Sequence, residues 1–300
     1  MNEILLKLIP IILIFLLGYL LKRIKILKKE DGDLFLKLNF YVSLPASVLL
    51  SLMNIRLSLD FLLLPVSAVL IIFTTYFLSL FLGRRLRLDK KSFGVFLVGS
   101  MIMNTGFLIP FAIAAYGNEG LARLLLFDFG NGLLVFTFIY YLACKYGDNN
   151  RNSVQMIKKI LISPPMWALI LGIVFNLLNI RFPLAMNNFL TIIGNLTIPL
   201  ILLSLGLYFS LKMIKPLSIL SAIFVRMGLG LILGLVFVKL FNLEGLNSAI
   251  VLLGAAAPVG YNTLTFSSME NLDKEFSTNL VSFSILIGII FIPILIFLIG

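Results

Sequence analysis

Stretches of about twenty mainly apolar residues, long enough to cross a bilayer core as a helix, recur from one end of this 300-residue chain to the other. They fall near residues 4–22, 34–53, 61–83, 93–116, 121–143, 161–180, 186–209, 216–241, 246–269 and 276–298. Backbone in lipid must satisfy its own hydrogen bonds, so each run is restricted to a helix. Hydrophobic residues make up 60% of the chain and charged ones 12%, against about 45–50% and 25% in soluble domains. The expected fold class is an all-α integral membrane protein with ten transmembrane helices, the spans numbered here 1 to 10.

A formal net charge of +11 would suit a nucleic-acid partner if the basic residues formed one patch, but they sort by connection instead. Eighteen of the 24 lysines and arginines lie at the connections after spans 1, 3, 5, 7 and 9, from the Lys22–Lys37 group and Arg84–Lys91 to Lys274. The opposite side holds only Lys7, Arg56, Arg123, Arg181 and Lys239, with Arg226 inside span 8. Basic connections stay on the cytoplasmic side, where they also meet anionic lipid. The prediction is a multi-pass protein of the cell (cytoplasmic) membrane with both termini outside and no nucleic-acid partner. At the start, "MNEILLKLIPIILIFLLGYLLKRIKILKK" has a long apolar part followed by its positive cluster, so it is predicted as span 1 and not as a cleaved leader. With no histidine and only Cys144, the usual zinc and iron ligand sets and an internal disulfide are absent; no cofactor is expected.

The longest mainly polar stretch, "CKYGDNNRNSVQMIKK", divides the chain into residues 1–143, a cytoplasmic connection at 144–160, and residues 161–300. Each part holds five spans, and because five is odd, equivalent halves must be inverted. Weak echoes support two inverted five-helix repeats: "LPASVLLSL" in span 2 beside "IPLILLSLG" in span 7, and "PVSAVL" in span 3 beside "PLSILSAIF" in span 8. The best match is an interruption. Span 4 is broken by Asn104, Thr105 and Gly106 ahead of Pro110, and span 9 by Pro258, Gly260, Tyr261 and Asn262 at the corresponding depth. Glycine loosens the backbone and proline frees a carbonyl. Irregular backbone survives at membrane depth only where it is buried or lines a watery cavity. Paired broken helices in two inverted halves point to a secondary transporter's site, with half-helix N-termini facing an anion. Pro10, Pro45, Pro65 and Pro199, isolated in apolar runs, read as packing kinks.

At these residues the chain resembles the auxin efflux carrier family, through "NTGFLIP" in span 4, "PLILLSLG" in span 7 and the proline-centred break in span 9. The resemblance covers essentially the whole chain. It implies that spans 4 and 9 cross at their unwound centres, with spans 3–5 and 8–10 as a mobile transport domain and spans 1, 2, 6 and 7 as a scaffold. It also implies an organic anion at the crossover, Asn104 matching the family asparagine that meets the substrate carboxylate, and Pro110 and Pro258 matching the crossover prolines. The chain is one residue shorter than many members between the NTG element and the proline. Its connection after span 5 is short, so auxin as substrate and loop phosphorylation are not implied.

Two ionisable residues lie within predicted spans, Asp128 in "LLLFDFGNGLL" and Arg226 in "IFVRMGLG", each costing about 2.5–3.5 kcal/mol at a helix centre on insertion scales. Asp128 and Asn131, three apart, share a helix face. They are expected to line the polar region, with Asp128 as proton carrier and Arg226 offsetting substrate charge or pairing with Asp128. A structural ion pair, or an Arg226 reaching an interface, is the alternative. An enzyme is disfavoured, because serines such as Ser43, Ser47, Ser100 and Ser204 have no histidine base and acid–base work needs positioned titratable groups. A channel is disfavoured by the absence of a filter-like repeated element. A sodium-coupled symporter of the bile-acid type remains the runner-up, with Ser100, Thr105, Asn262, Thr263 and Thr265 as sodium ligands. The predicted function is alternating-access, elevator-like carriage of a small organic anion. Its expected partners are that anion, membrane lipids and, as one option, a second copy in a homodimer. Glycine-rich "RMGLGLILGL" in span 8 reads as close helix packing.

Overall fold

The computed structural model describes residues 2–54, 59–147, 164–209 and 214–299, and among these it is all-helical. In chain order the helices are α1 (Asn2–Arg23), α2 (Lys29–Leu38), α3 (Leu44–Asn54), α4 (Leu63–Arg85), α5 (Lys90–Met101), α6 (Thr105–Leu134) and α7 (Tyr140–Tyr146). After the connection come α8 (Pro164–Leu177), α9 (Leu184–Gly194), α10 (Thr197–Tyr208), α11 (Pro216–Ile223), α12 (Gly230–Leu240), α13 (Gly245–Ala255), α14 (Asn262–Met269) and α15 (Lys274–Ile299). Short π-helical turns join α2 to α3, α6 to α7 and α11 to α12. Among the described residues, six continuous helical stretches are long and apolar enough to cross a membrane: Glu30–Met53, Asp60–Arg85, Thr105–Tyr146, Leu184–Tyr208, Pro216–Leu240 and Lys274–Ile299. Trp167–Leu177 and Gly245–Ala255 are apolar but shorter.

The expected connection between spans 4 and 5 is reduced to one residue. α6 runs from Thr105 to Leu134, and only Gly117 leaves helical geometry, at φ 61° and ψ −153°. That conformation is open to glycine and costly to residues with a Cβ, so the kink falls at the one glycine of "AYGNE". Most of the expected cytoplasmic connection 144–160, and the beginning of the helix expected at 161–180, lie outside the described residues.

The chain forms two compact units of interleaved segments: 1–58, 106–125 and 159–209 in the first, 59–105, 126–158 and 210–300 in the second. In the first unit α1 packs on α10 through glycines: a Cβ on Gly18 would sit 2.5 Å from the Leu203 carbonyl oxygen, and one on Gly206 would overlap that of Phe15. Small residues that let backbones touch are how helices associate without a hydrophobic drive. Polar side chains then tie neighbours together, Ser204 Oγ donating to Gly32 O at 3.1 Å and Asn176 Nδ2 to Leu52 O at 2.8 Å.

In the second unit α5 is buried over most of its length, and Gly130 lies against the Pro65 backbone without room for a Cβ. One end of this unit gathers three helix starts. Asp89 caps α5, accepting from the Lys91 and Ser92 amides at 3.1 and 3.0 Å. Asp273 accepts from the Phe276 amide at the start of α15 at 2.9 Å. Lys215, the N-cap of α11, reaches Asp273 at 2.7 Å, Ser92 Oγ at 2.6 Å and Asp89 at 3.5 Å. Hydrogen bonds from the Ser92 hydroxyl and amide, with the nearby Lys215 ammonium, pull Asp89 down to about 2. Partial burial works against the Lys215 charge, but Asp273 and Asp89 outweigh it and hold its pKa above the usual lysine range. Carboxylates at helix N-termini also complement the helix dipoles.

Candidate functional site

Both expected helices are interrupted, the first at residues 102–104, just ahead of the Thr105 and Gly106 expected in the break, and the second at 256–261, and the two breaks meet. α5 ends at Met101, Ile102 turns extended (φ −72°, ψ 121°), and α6 begins at Thr105. α13 ends at Ala255 and α14 begins at Asn262. Between them Met103 and Val259 form an isolated antiparallel bridge. The Asn104 amide donates to Pro258 O at 2.9 Å, and the Gly260 amide to Ile102 O at 3.0 Å. Asn104 Nδ2 adds a bond to Val259 O at 3.3 Å. Proline suits its position because only its carbonyl is used, and glycine suits 260 because a Cβ there would overlap Ile102 Cγ2 and lie 3.2 Å from Met103 O.

Two side chains support the bridge from behind. Asn131 bonds both main-chain groups of Met103, its Oδ1 accepting from the amide and its Nδ2 donating to the carbonyl, each at 3.3 Å. It thereby stands in for a neighbouring strand. Ser284 Oγ accepts from the Val259 amide at 3.1 Å and donates to Val281 O at 2.8 Å. Asp128 sits one turn before Asn131 and shares its face, as its spacing predicts. Its Oδ1 accepts from Thr105 Oγ1 at 2.6 Å and from Asn131 Nδ2 at 2.8 Å.

Arg226 is fully buried on the π-helical turn after α11. Its Nε donates to Ala257 O at 3.2 Å, and its Nη2 to Ala255 O and, at 3.5 Å, to Gly254 O, while Nη1 has no hydrogen-bond partner among the described residues. The last carbonyls of a helix lack intrahelical donors and carry partial negative charge, so the guanidinium caps α13 at its break. The expected Arg226–Asp128 pair is corrected here: no ion pair joins them, because each already has neutral partners at the crossover. The alternative of an Arg226 that reaches an interface is corrected by the same burial.

Asn104, Thr105, Asp128, Asn131, Arg226, Pro258 and Gly260 are therefore brought to one place in the second unit. Tyr261 and Asn262, both half-buried, follow directly and open α14. Gly106 lies in the first turn of α6, and Pro110 is buried within that helix instead of in the break. Sequence reasoning missed Ser284, an ordinary serine in an apolar helix. It also missed Glu270, which falls just past the apolar run of span 9 and reads as a loop charge, yet is fully buried and accepts from Tyr140 at 2.7 Å.

The chain matches the family described as "Membrane transport protein" over residues 3–296. It is 27% identical to an uncharacterized transporter of Methanothermobacter thermautotrophicus over 296 residues, covering 95% of each chain. It is 29% identical to an uncharacterized transporter of Methanocaldococcus jannaschii over 274 residues, covering 88% of each. The family and both relatives are named for transport and not for catalysis. With its apolar spanning helices and a match over nearly its whole length, the chain belongs to the membrane transport protein family, that of the auxin efflux carriers, and is a multi-pass membrane transporter.

Proposed function

We propose that this transporter carries a small organic anion, a carboxylate, through the crossover by alternating access. The observation that carries the proposal is the bridge between residues 102–104 and 258–260, with Thr105 and Asn262, the first residues of α6 and α14, close behind it in the chain. Helix starts carry partial positive charge, which favours an anion. Asn104 and the Tyr261 and Asn262 side chains are the proposed ligands. Arg226 sets the field, since its buried charge meets only carbonyl dipoles. Asp128 is the proposed site of proton coupling, held by Thr105 and Asn131.

In this proposal the helices make ten spans: α1; α2–α3; α4; α5 with the first part of α6; the rest of α6 with α7; α8; α9–α10; α11–α12; α13–α14; and α15. The antiparallel meeting of two similar breaks supports two inverted repeats of five. Spans 1, 2, 6 and 7 are the proposed scaffold and spans 3–5 and 8–10 the proposed moving part of an elevator-like cycle; the first compact unit holds the former together with residues 106–125 of spans 4 and 5. The cell membrane with both termini outside follows from the basic residues of the connections, and a homodimer is the proposed assembly option.

The sodium-coupled reading draws support from the fully buried Ser100 and Thr263, whose hydroxyl oxygens have no hydrogen-bond partner. Against it, Thr265 is exposed and, two residues along α14, points away from Thr263. Uptake of radiolabelled mono- and dicarboxylates into proteoliposomes tests the proposal. A saturable flux that Asn104→Ala reduces at least tenfold, about 1.4 kcal/mol, is expected. Flux that needs sodium, or that fails to saturate, would favour the symporter or a channel instead.

A further inference from the structure

Glu270 ends α14 as its C-cap, fully buried. One carboxylate oxygen accepts from Tyr140, and the other has no hydrogen-bond partner among the described residues. One turn back along the helix is Ser267 and one turn further Thr263, both fully buried and both with a hydroxyl oxygen that no described group satisfies. Positions 263, 267 and 270 follow the i, i+4, i+7 pattern of a single helix face. At the crossover end Ser100 has a buried hydroxyl of the same kind, next to Gly99, whose added Cβ would lie 3.4 Å from Thr263 Cγ2.

Leaving one buried polar group unpaired costs about 1–3 kcal/mol. A row of them along one face signals that something polar completes them. Spacing identifies it. A rise of about 1.5 Å per residue puts successive groups about 4.5–6 Å apart, and one water bonded to two oxygens at about 2.8 Å each spans a similar gap. A cation needs several oxygens converging on one centre, and oxygens strung along a helix do not converge.

Charge points the same way. A buried carboxylate needs a compensating positive group or a proton. From α7, Tyr140 and Cys144 interact with Glu270, and neither is a cation. From α5, Lys90 reaches Gly147 O at 3.5 Å. At the start of α15 Asp273 is engaged by Lys215, and Lys274 and Glu275 are exposed. No ion pair to Glu270 forms among the described residues. Asn271, which follows it, is exposed, so the row leads from the crossover to within one residue of the surface of its unit.

We propose that the Thr263–Ser267–Glu270 face of α14 is a hydrated proton path, and that Glu270 is a proton-exchanging carboxyl at its end. A hydronium ion at the surface end gives its proton to the carboxylate and is left as water, and the carboxyl passes the proton to the next water of the row and returns to carboxylate. Each hydroxyl, able to donate and accept, forms one O–H bond as it gives up another, so the proton passes toward the crossover without any redox step. The path stands on the second unit alone and needs no assumption about the transported solute.

The test is infrared spectroscopy of the full chain in liposomes, with no solute added, while the buffer is acidified and then exchanged into D₂O. Expected is a carboxylic-acid C=O band that grows on acidification, disappears in Glu270→Gln, and persists in Asp128→Asn. Glutamine keeps an acceptor for Tyr140, and a thermal melt checks that the variant is folded. Ser267→Ala provides a second arm and is expected to slow deuterium exchange of that band several-fold. The proposal is overturned if the wild type shows no such band, if Glu270→Gln retains it, if Ser267→Ala exchanges at the wild-type rate, or if sodium abolishes the band at constant pH. Any of these results leaves the anion site at Asn104 untouched.

Discussion

Replacing Gly260 by alanine tests whether the bridge between the two breaks holds the site together. The added Cβ would overlap Ile102 Cγ2, and behind it stands the Met103 carbonyl oxygen at 3.2 Å. Ile102 is buried to 1% exposure and, being β-branched, has little rotamer freedom to yield. Overpacking of this kind costs about 1–3 kcal/mol. If the strands part, the bonds from the Asn104 and Gly260 amides at 2.9 and 3.0 Å go too, at about 0.5–1.5 kcal/mol each. The total, about 2–6 kcal/mol, should lower the melting temperature by several degrees, at about 2–4 °C per kcal/mol for domains of 150–250 residues. Melting in detergent can be followed by dye labelling of Cys144, the one cysteine in the chain. Adding Ile102→Ala to the variant removes the obstructing methyl and should recover part of the loss, a coupling of about 0.5–3 kcal/mol. Gly132→Ala is the control, since nothing lies within 4 Å of its added Cβ. An unchanged melting temperature in Gly260→Ala, or no recovery in the double variant, would refute the bridge as drawn.

Three further outcomes follow from other parts of the molecule. Gly206→Ala presses a Cβ onto the Phe15 carbonyl and, at 2.6 Å, the Tyr19 amide nitrogen; it should destabilise the first unit by about 1–3 kcal/mol, and a wild-type melt would show that α1 and α10 are not in backbone contact. Asp89 has its pKa lowered from 3.8 to about 2, so its contribution is complete above 3.8 and lost as pH falls through about 2. Asp89→Asn should therefore melt earlier than the wild type at neutral pH and converge with it in acid, and a gap that persists at the acid end would sink this assignment. Asp128→Asn is expected to abolish pH-driven uptake while sparing ligand binding, and retained proton coupling in the variant would remove Asp128 from the mechanism.

The features legible in the sequence were those that contradict their surroundings. Asn104, Pro258 and Gly260 stand out because polar and helix-breaking residues are expensive in an apolar run, and the structure brings those positions together. Asp128 and Asn131 were readable as a face because helical spacing is local. Partners across the fold were not. Arg226 was expected to seek a carboxylate, but carbonyls at the end of a broken helix serve a guanidinium as well, and no sequence pattern announces which helix end lies opposite. Asn131 gripping both main-chain groups of Met103 depends on tertiary contact between residues 28 apart. Glu270 was passed over because a charge one residue past an apolar run looks solvated, and only burial distinguishes it. Pro110, expected in the break, lies inside α6.

The central claim, that the crossover is an anion site, is tested most directly by thermal shift of the purified protein against mono- and dicarboxylates, indole acids and sodium, with Asn104→Ala alongside. A ligand at 100 times its dissociation constant adds about 2.7 kcal/mol to the native state, which a melt resolves. The account predicts that a carboxylate stabilises the wild type and not the variant. Equal stabilisation of both proteins, or stabilisation by sodium alone, would contradict it.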